Sequence, residues 1–145
     1  MKPKPIFSIT TLFIAFFLLA ACGGGSPPES GPAELTVTGT DDFKFEPAEL
    51  TVKAGQEVVL TYKNGGAVEH SFNLLKPDAV LEHVLEETEE EHIDEELLVD
   101  IHEIEGGASE TATFTAPTEP GEYTFACLVP GHAQAGEVGT LKVVP

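Results

Sequence analysis

From Glu34 to Pro145, apolar and polar positions follow two different spacings. Leu35 and Val37, then Phe43 and Phe45, are separated by polar neighbours, the period of half-buried strands. Leu50–Lys53, Glu57–Lys63 and Ser71–Leu75 also read as strands, and turn residues divide them at Glu46-Pro47-Ala48-Glu49, Ala54-Gly55-Gln56 and Asn64-Gly65-Gly66. Between Pro77 and about Glu105 the spacing lengthens. Val80, Leu81, Val84 and Leu85, then Ile93, Leu97, Leu98 and Ile101, recur as on a helix face, with the acidic run Glu89-Glu90-Glu91 between the two groups. Strand spacing returns in Glu110–Thr115, Glu122–Cys127 and Val138–Val144, set off by Pro117 and Pro120-Gly121. Short strands between Gly/Pro turns predict an all-β, antiparallel Greek-key β-sandwich over residues 34–145, carrying a short acidic helical insertion at about 77–105. There is no internal repeat.

The residues ahead of this domain read as an export leader and a tether. Lys2 and Lys4 precede an apolar run from Ile6 to Ala21, shorter than the ~20 apolar residues of a membrane-spanning helix. Leu19-Ala20-Ala21-Cys22 resembles a bacterial lipobox, which makes residues 1–21 a lipoprotein signal peptide and Cys22 an acylated N-terminus. The bland alternative is an ordinary signal peptide cut near Ala21 that leaves Cys22 free. Residues 22–33, dominated by Gly, Pro and Ser, predict a flexible tether. The expected location is the extracytoplasmic face of the cell membrane, with the domain held there by lipid.

The chain carries 7 Lys and no Arg against 25 acidic residues. Loss of Lys2 and Lys4 with the leader lowers the 7 to 5, and 5 against 25 is a formal charge of −20. Such a surface repels nucleic acid and anionic headgroups and attracts cationic protein partners. It equally fits a salt-adapted proteome. If Cys22 is acylated, Cys127 is left unpaired in an oxidising compartment, where a bound metal would protect it.

Cys127 and His132 frame the loop Cys127-Leu128-Val129-Pro130-Gly131-His132, and His70 lies upstream in Glu69-His70-Ser71-Phe72. One thiolate and two imidazoles are the donor set of a trigonal copper site: thiolate suits Cu(I), and imidazole suits both oxidation states. Each residue also has an ordinary reading: His70 as a strand-end surface residue, His132 as a loop cap, Cys127 as an inert core thiol. The three together point to one copper ion. His83, His92 and His102 lie in the acidic insertion, which reads as a solvated face or a docking surface and not as a second metal site.

Gly121-Glu122-Tyr123-Thr124-Phe125-Ala126-Cys127, through Pro130-Gly131-His132 to Gly136 and Gly139-Thr140-Leu141, resembles the cupredoxins, the small blue-copper electron carriers, and within them the auracyanin, azurin and plastocyanin types. The resemblance covers residues 34–145. It implies copper held by His70, Cys127 and His132, with electron exchange through the exposed edge of His132. Two positions depart from the family pattern. Ser71 stands where Asn is usual, which keeps the backbone N–H toward the sulfur and weakens the side-chain tie between loops. Glu137 stands where the axial Met is usual, and Met1 is the only methionine in the chain. Glu137 either binds the metal, which favours Cu(II) and lowers the reduction potential, or turns to solvent and leaves three donors with a distant backbone carbonyl such as that of Glu69.

The leading expectation is a non-enzymatic, membrane-tethered electron shuttle working with cationic redox proteins such as a cytochrome. Val129, Pro130, Ala133 and Ala135 would form its contact patch around His132. The alternative is a carboxylate-ligated red-copper protein of the nitrosocyanin type, with a catalytic or sensing role. Copper delivery or storage is a third reading, and it usually calls for Met- or His-rich stretches that this chain lacks.

Overall fold

The computed structural model describes residues 31–87 and 90–145. The expected signal peptide, Cys22 and most of the tether lie outside them. In chain order the strands are β1 (Ala33–Thr40), β2 (Lys44–Glu46), β3 (Glu49–Lys53), β4 (Glu57–Asn64) and β5 (His70–Leu75). Two short helices follow, α1 (Leu81–Glu86) and α2 (Glu90–Glu95), and then β6 (Leu97–Ile104), β7 (Ser109–Thr115), β8 (Gly121–Ala126), α3 (His132–Ala135) and β9 (Val138–Val144).

The strands form two sheets, ordered β2-β1-β4-β7 and β3-β9-β8-β5-β6. The all-β sandwich is as the sequence predicts. Its ladders are not all antiparallel, because β1 runs parallel to β4 and β3 runs parallel to β9. Alternation reveals which residues face inward and is silent about which neighbour a strand pairs with.

The inner faces meet in one core. Phe45, Tyr62, Phe72 and Phe125 pack edge-on or tilted, with ring centroids 4.9 to 6.2 Å apart, and Val37, Val58, Leu60, Leu74, Ile101 and Leu141 surround them. Such aromatic contacts add to the area they bury. Gly139 is obligatory here, since a Cβ on it would collide with the Phe125 ring.

The insertion corrects the sequence reading. Residues 97–104 are a strand antiparallel to β5, and among the described residues of the insertion the helical ones are 81–86 and 90–95. Leu97, Leu98 and Ile101 fit a helical period, but Leu97, Val99 and Ile101 also alternate, and these three are the buried set. The β-branched Val99 and Ile101 favour the strand.

All six residues of β5 are buried. Phe72 and Leu74 face the main core, whereas Leu75 joins Val84 and Leu97 in a second cluster that includes Ile93 and Leu128. The insertion therefore roofs the outer face of β5. Ser71 and Asn73 lie on that same alternation, so the insertion also shelters their polar groups.

Candidate metal centre

The candidate donors converge at one pole of the sandwich. His70 opens β5, Cys127 directly follows β8, His132 begins α3, and Glu137 immediately precedes β9. One ligand atom from each lies within 4.8 Å of every other. His70 Nδ1 is 2.8 Å from Glu137 Oε2, which is 3.3 Å from His132 Nδ1. That nitrogen is 3.4 Å from Cys127 Sγ. His70, Cys127 and Glu137 are fully buried, and the His132 side chain keeps 13 % of its surface exposed.

The loop holding three of these residues is closed on itself. Cys127 N–H donates to the Glu137 carbonyl at 3.1 Å, and Glu137 N–H donates to the His132 carbonyl at 3.1 Å. Gly131 and Gly136 bracket α3 with φ of 89° and 116°, the left-handed region glycine enters without strain. Between them the chain reverses, so that a sulfur, an imidazole and a carboxylate from one short loop face a single point.

The carboxylate argues for a cation. Glu137 has no solvent exposure, its ionic neighbours are the two imidazoles, and its Oε1 lacks a hydrogen-bond partner. A charge so placed is costly without compensation, and a metal ion beside a thiolate and two imidazoles supplies it. Glu137 does not turn to solvent. Burial pushes the Cys127 thiol up to about 11, with hydrogen bonds from Ser71 acting in the opposite direction. Metal binding would displace that proton.

Ser71, noted from the sequence, fixes these donors together with several neighbours that the sequence did not single out. Ser71 N–H lies 3.3 Å from Cys127 Sγ, as the resemblance implies for the backbone group at this position. The Ser71 hydroxyl faces the sulfur at 3.6 Å and accepts from Leu128 N–H and Asn73 Nδ2, both at 2.9 Å. The tie between the two loops is thus made by Ser71 and Asn73 together. A polar residue two positions after Ser71 on a buried strand was the available signal.

Asp41 accepts from Ala67 and Val68 N–H, which holds its carboxyl below the usual range, and its Oδ1 lies 3.7 Å from His70 Nε2. Buried Asn64 donates to the Val68 and Ile104 carbonyls and accepts from Gly66 N–H, fixing the approach to His70. The Phe43 ring covers both imidazoles, with centroids 4.7 Å from His132 and 6.3 Å from His70. Its backbone has φ of 54°, a strained value for a bulky residue that no sequence pattern announces.

The expected contact patch changes in detail. Pro130 and Ala135 are exposed and Val129 is half-buried, but Ala133 is buried. Val68, two residues before His70, is 49 % exposed. His83, His92 and His102 stay at the surface, His92 near Glu87 and His102 near Asp100.

Comparison with known proteins agrees with this geometry. The model of copper binding proteins of the plastocyanin/azurin family matches residues 32–144. The chain is 33% identical over 127 residues to a copper-resistant cuproprotein, CopI, of Rubrivivax gelatinosus, covering 82% of this chain and 72% of that protein. It is 32% identical over 139 residues to auracyanin-A of Chloroflexus aurantiacus, covering 79% and 82%. The solved structure of auracyanin A, described as a "blue" copper protein from Chloroflexus aurantiacus, superposes with a TM-score of 0.67 at 27% identity, covering 79% of this chain and 100% of that one.

Proposed function

This chain belongs to the plastocyanin/azurin family of copper-binding proteins, and on that premise we propose that it carries single electrons between extracytoplasmic redox partners. His70, Cys127 and His132 would hold one copper ion, with the Glu137 carboxylate as a fourth donor. The observation that carries the reading is the convergence of these four groups, three of them fully buried, within 4.8 Å.

Bound copper supplies the one-electron couple. The protein supplies soft sulfur and imidazole donors that suit both oxidation states, on a loop closed by its own backbone bonds. The Phe43 ring lies against both imidazoles, and three of the four donors are fully buried. The edge of His132 is the part of the donor set that reaches the surface, and Val129, Pro130 and Ala135 flank it. Glu137 biases the site toward the oxidised metal, because a hard anionic oxygen prefers Cu(II).

Copper titration of the metal-free protein, followed by a visible spectrum and a potentiometric titration, tests this reading. One equivalent of copper should bind and cycle reversibly. Glu137→Met should raise the potential and change the absorption. Spectra and potentials unchanged in Glu137→Met and Glu137→Ala would eliminate Glu137 as a donor.

The leader pattern supports attachment by lipid at Cys22 on the outer face of the membrane. Among the described residues no helix is long and apolar enough to cross a membrane. Wild type should take up labelled fatty acid and fractionate with membranes, and Cys22→Ala should lose both properties.

A second reading, copper tolerance by sequestration, is favoured by the likeness to the copper-resistant cuproprotein. It predicts that a strain lacking the protein becomes copper-sensitive. Unaltered copper tolerance with impaired electron exchange favours the first reading.

A further inference from the structure

Beneath the four donors lies a pair of buried oxygens that the site leaves without partners. Glu137 turns Oε2 toward both imidazoles, and its Oε1 has no hydrogen-bond partner although the residue is fully buried. Tyr62, on β4, is also fully buried, and its hydroxyl likewise has no partner. The two oxygens face the same spot. A Cβ on Gly39 of β1 would strike the Tyr62 hydroxyl and come within 3.0 Å of Glu137 Oε1. Gly39 therefore leaves the room that both oxygens border. A hydroxyl with a proton to donate and a carboxylate oxygen with free lone pairs are complementary, and buried polar groups left single are the exception in native proteins. Burial, with the charges of Glu137 and Cys127 adding to it, holds the Tyr62 phenol above its ordinary range, so it remains an O–H donor.

We infer that Tyr62 is the positioning residue for Glu137: its hydroxyl donates to Oε1, directly or through one water, and keeps Oε2 aimed at the metal. The inference rests on the reading of Glu137 as the fourth donor. Holding one carboxylate oxygen fixes rotation of the group, and drawing charge onto that oxygen reduces what the other gives to the metal. Outer partners of this kind orient and tune metal-binding side chains. Removing the hydroxyl leaves a carboxylate that donates more strongly to Cu(II), so the potential falls.

The test is a four-chain cycle of wild type, Tyr62→Phe, Glu137→Met and the double variant. Each is loaded with Cu(II) and read by visible absorption and potentiometric titration, with melting of the metal-free protein as a check that the fold is retained. Tyr62→Phe keeps the ring and the core packing. In the wild-type background it should shift the absorption and lower the potential by up to about 59 mV, the equivalent of a tenfold change in the Cu(II)-to-Cu(I) affinity ratio. In the Glu137→Met background it should change neither. No shift in the wild-type background, or the same shift in both, overturns the pairing while leaving Glu137 as a donor. If Glu137→Met itself changes neither spectrum nor potential, the reading of Glu137 as a donor fails and the pairing falls with it.

Discussion

At the scale of single residues, the Ser71 hydroxyl concentrates the most function in one atom. It accepts from Asn73 and Leu128 and faces the Cys127 sulfur, so its one proton and two lone pairs are all committed. Ser71→Ala strands the half-buried Leu128 N–H and one of two contacts of the buried Asn73 amide, since Asn73 also reaches the Ala126 carbonyl. Leaving a buried donor unpaired costs about 1–3 kcal/mol. Denaturant unfolding of the metal-free variant should show a loss of that order, with the copper absorption also displaced. Asp100 offers a pH test away from the donors. Partial burial of its side chain holds its carboxyl above the usual range, with nearby Asp94 and Glu103 adding and His102 opposing. The folded chain thus binds this proton more tightly than the unfolded chain, and the charged form costs stability at neutral pH. The cost is relieved as pH falls through the raised value and is gone below the ordinary 3.8. Asp100→Asn should therefore melt higher than wild type at pH 7, with the gap closing as pH approaches 3.8. A gap that stays constant over that range would contradict the assignment.

At the scale of elements, β6 shows where reading from sequence reaches its limit. The strands flanking the site were legible because their inward residues alternate strictly and turn residues bound them. Leu97-Leu98-Val99-Asp100-Ile101 satisfies both a helical and an alternating period, and only pairing with β5 decides between them. Ile101 is fully buried in the main core while His102 lies at the surface. Ile101→Ala should cost about 2–5 kcal/mol, the usual range for a buried aliphatic truncation, and His102→Ala should be near neutral in the same unfolding measurement. His70, Cys127 and His132 could be found because Cys and His are scarce in this chain and their chemistry is specific, and Glu137 because it stands where the resemblance places the axial Met. Tyr62, Asn73 and Phe43 could not, because a tyrosine in a strand, an asparagine in a strand and a phenylalanine at a turn acquire meaning only once the sheets bring them beneath or above the donors. Gly39 is legible for the same structural reason alone: its role is the space it leaves.

At the scale of the whole molecule, the acidity is the property that no single site explains. The full chain has a formal charge of −18, and the donor residues account for little of it. Two physical consequences pull in different directions and can be separated by salt. Self-repulsion of like charges weakens the compact state, so added salt raises the melting temperature whatever the charge is for. Steering of a cationic partner has the opposite sign, because attraction between separated surfaces is lost as the screening length shrinks from about 10 Å at 0.1 M to about 3 Å at 1 M salt. If the surface serves docking, electron exchange with a cationic redox protein should slow by about tenfold or more across that range, while exchange with an anionic reagent of similar potential should accelerate. Stopped-flow rates with both reagents, taken alongside melting curves at the same salt concentrations, make the comparison on one sample. A melting temperature that climbs with salt while both exchange rates stay flat would assign the charge to salt adaptation, and would leave the exposed edge of His132 with its small apolar surround as the whole of the contact surface.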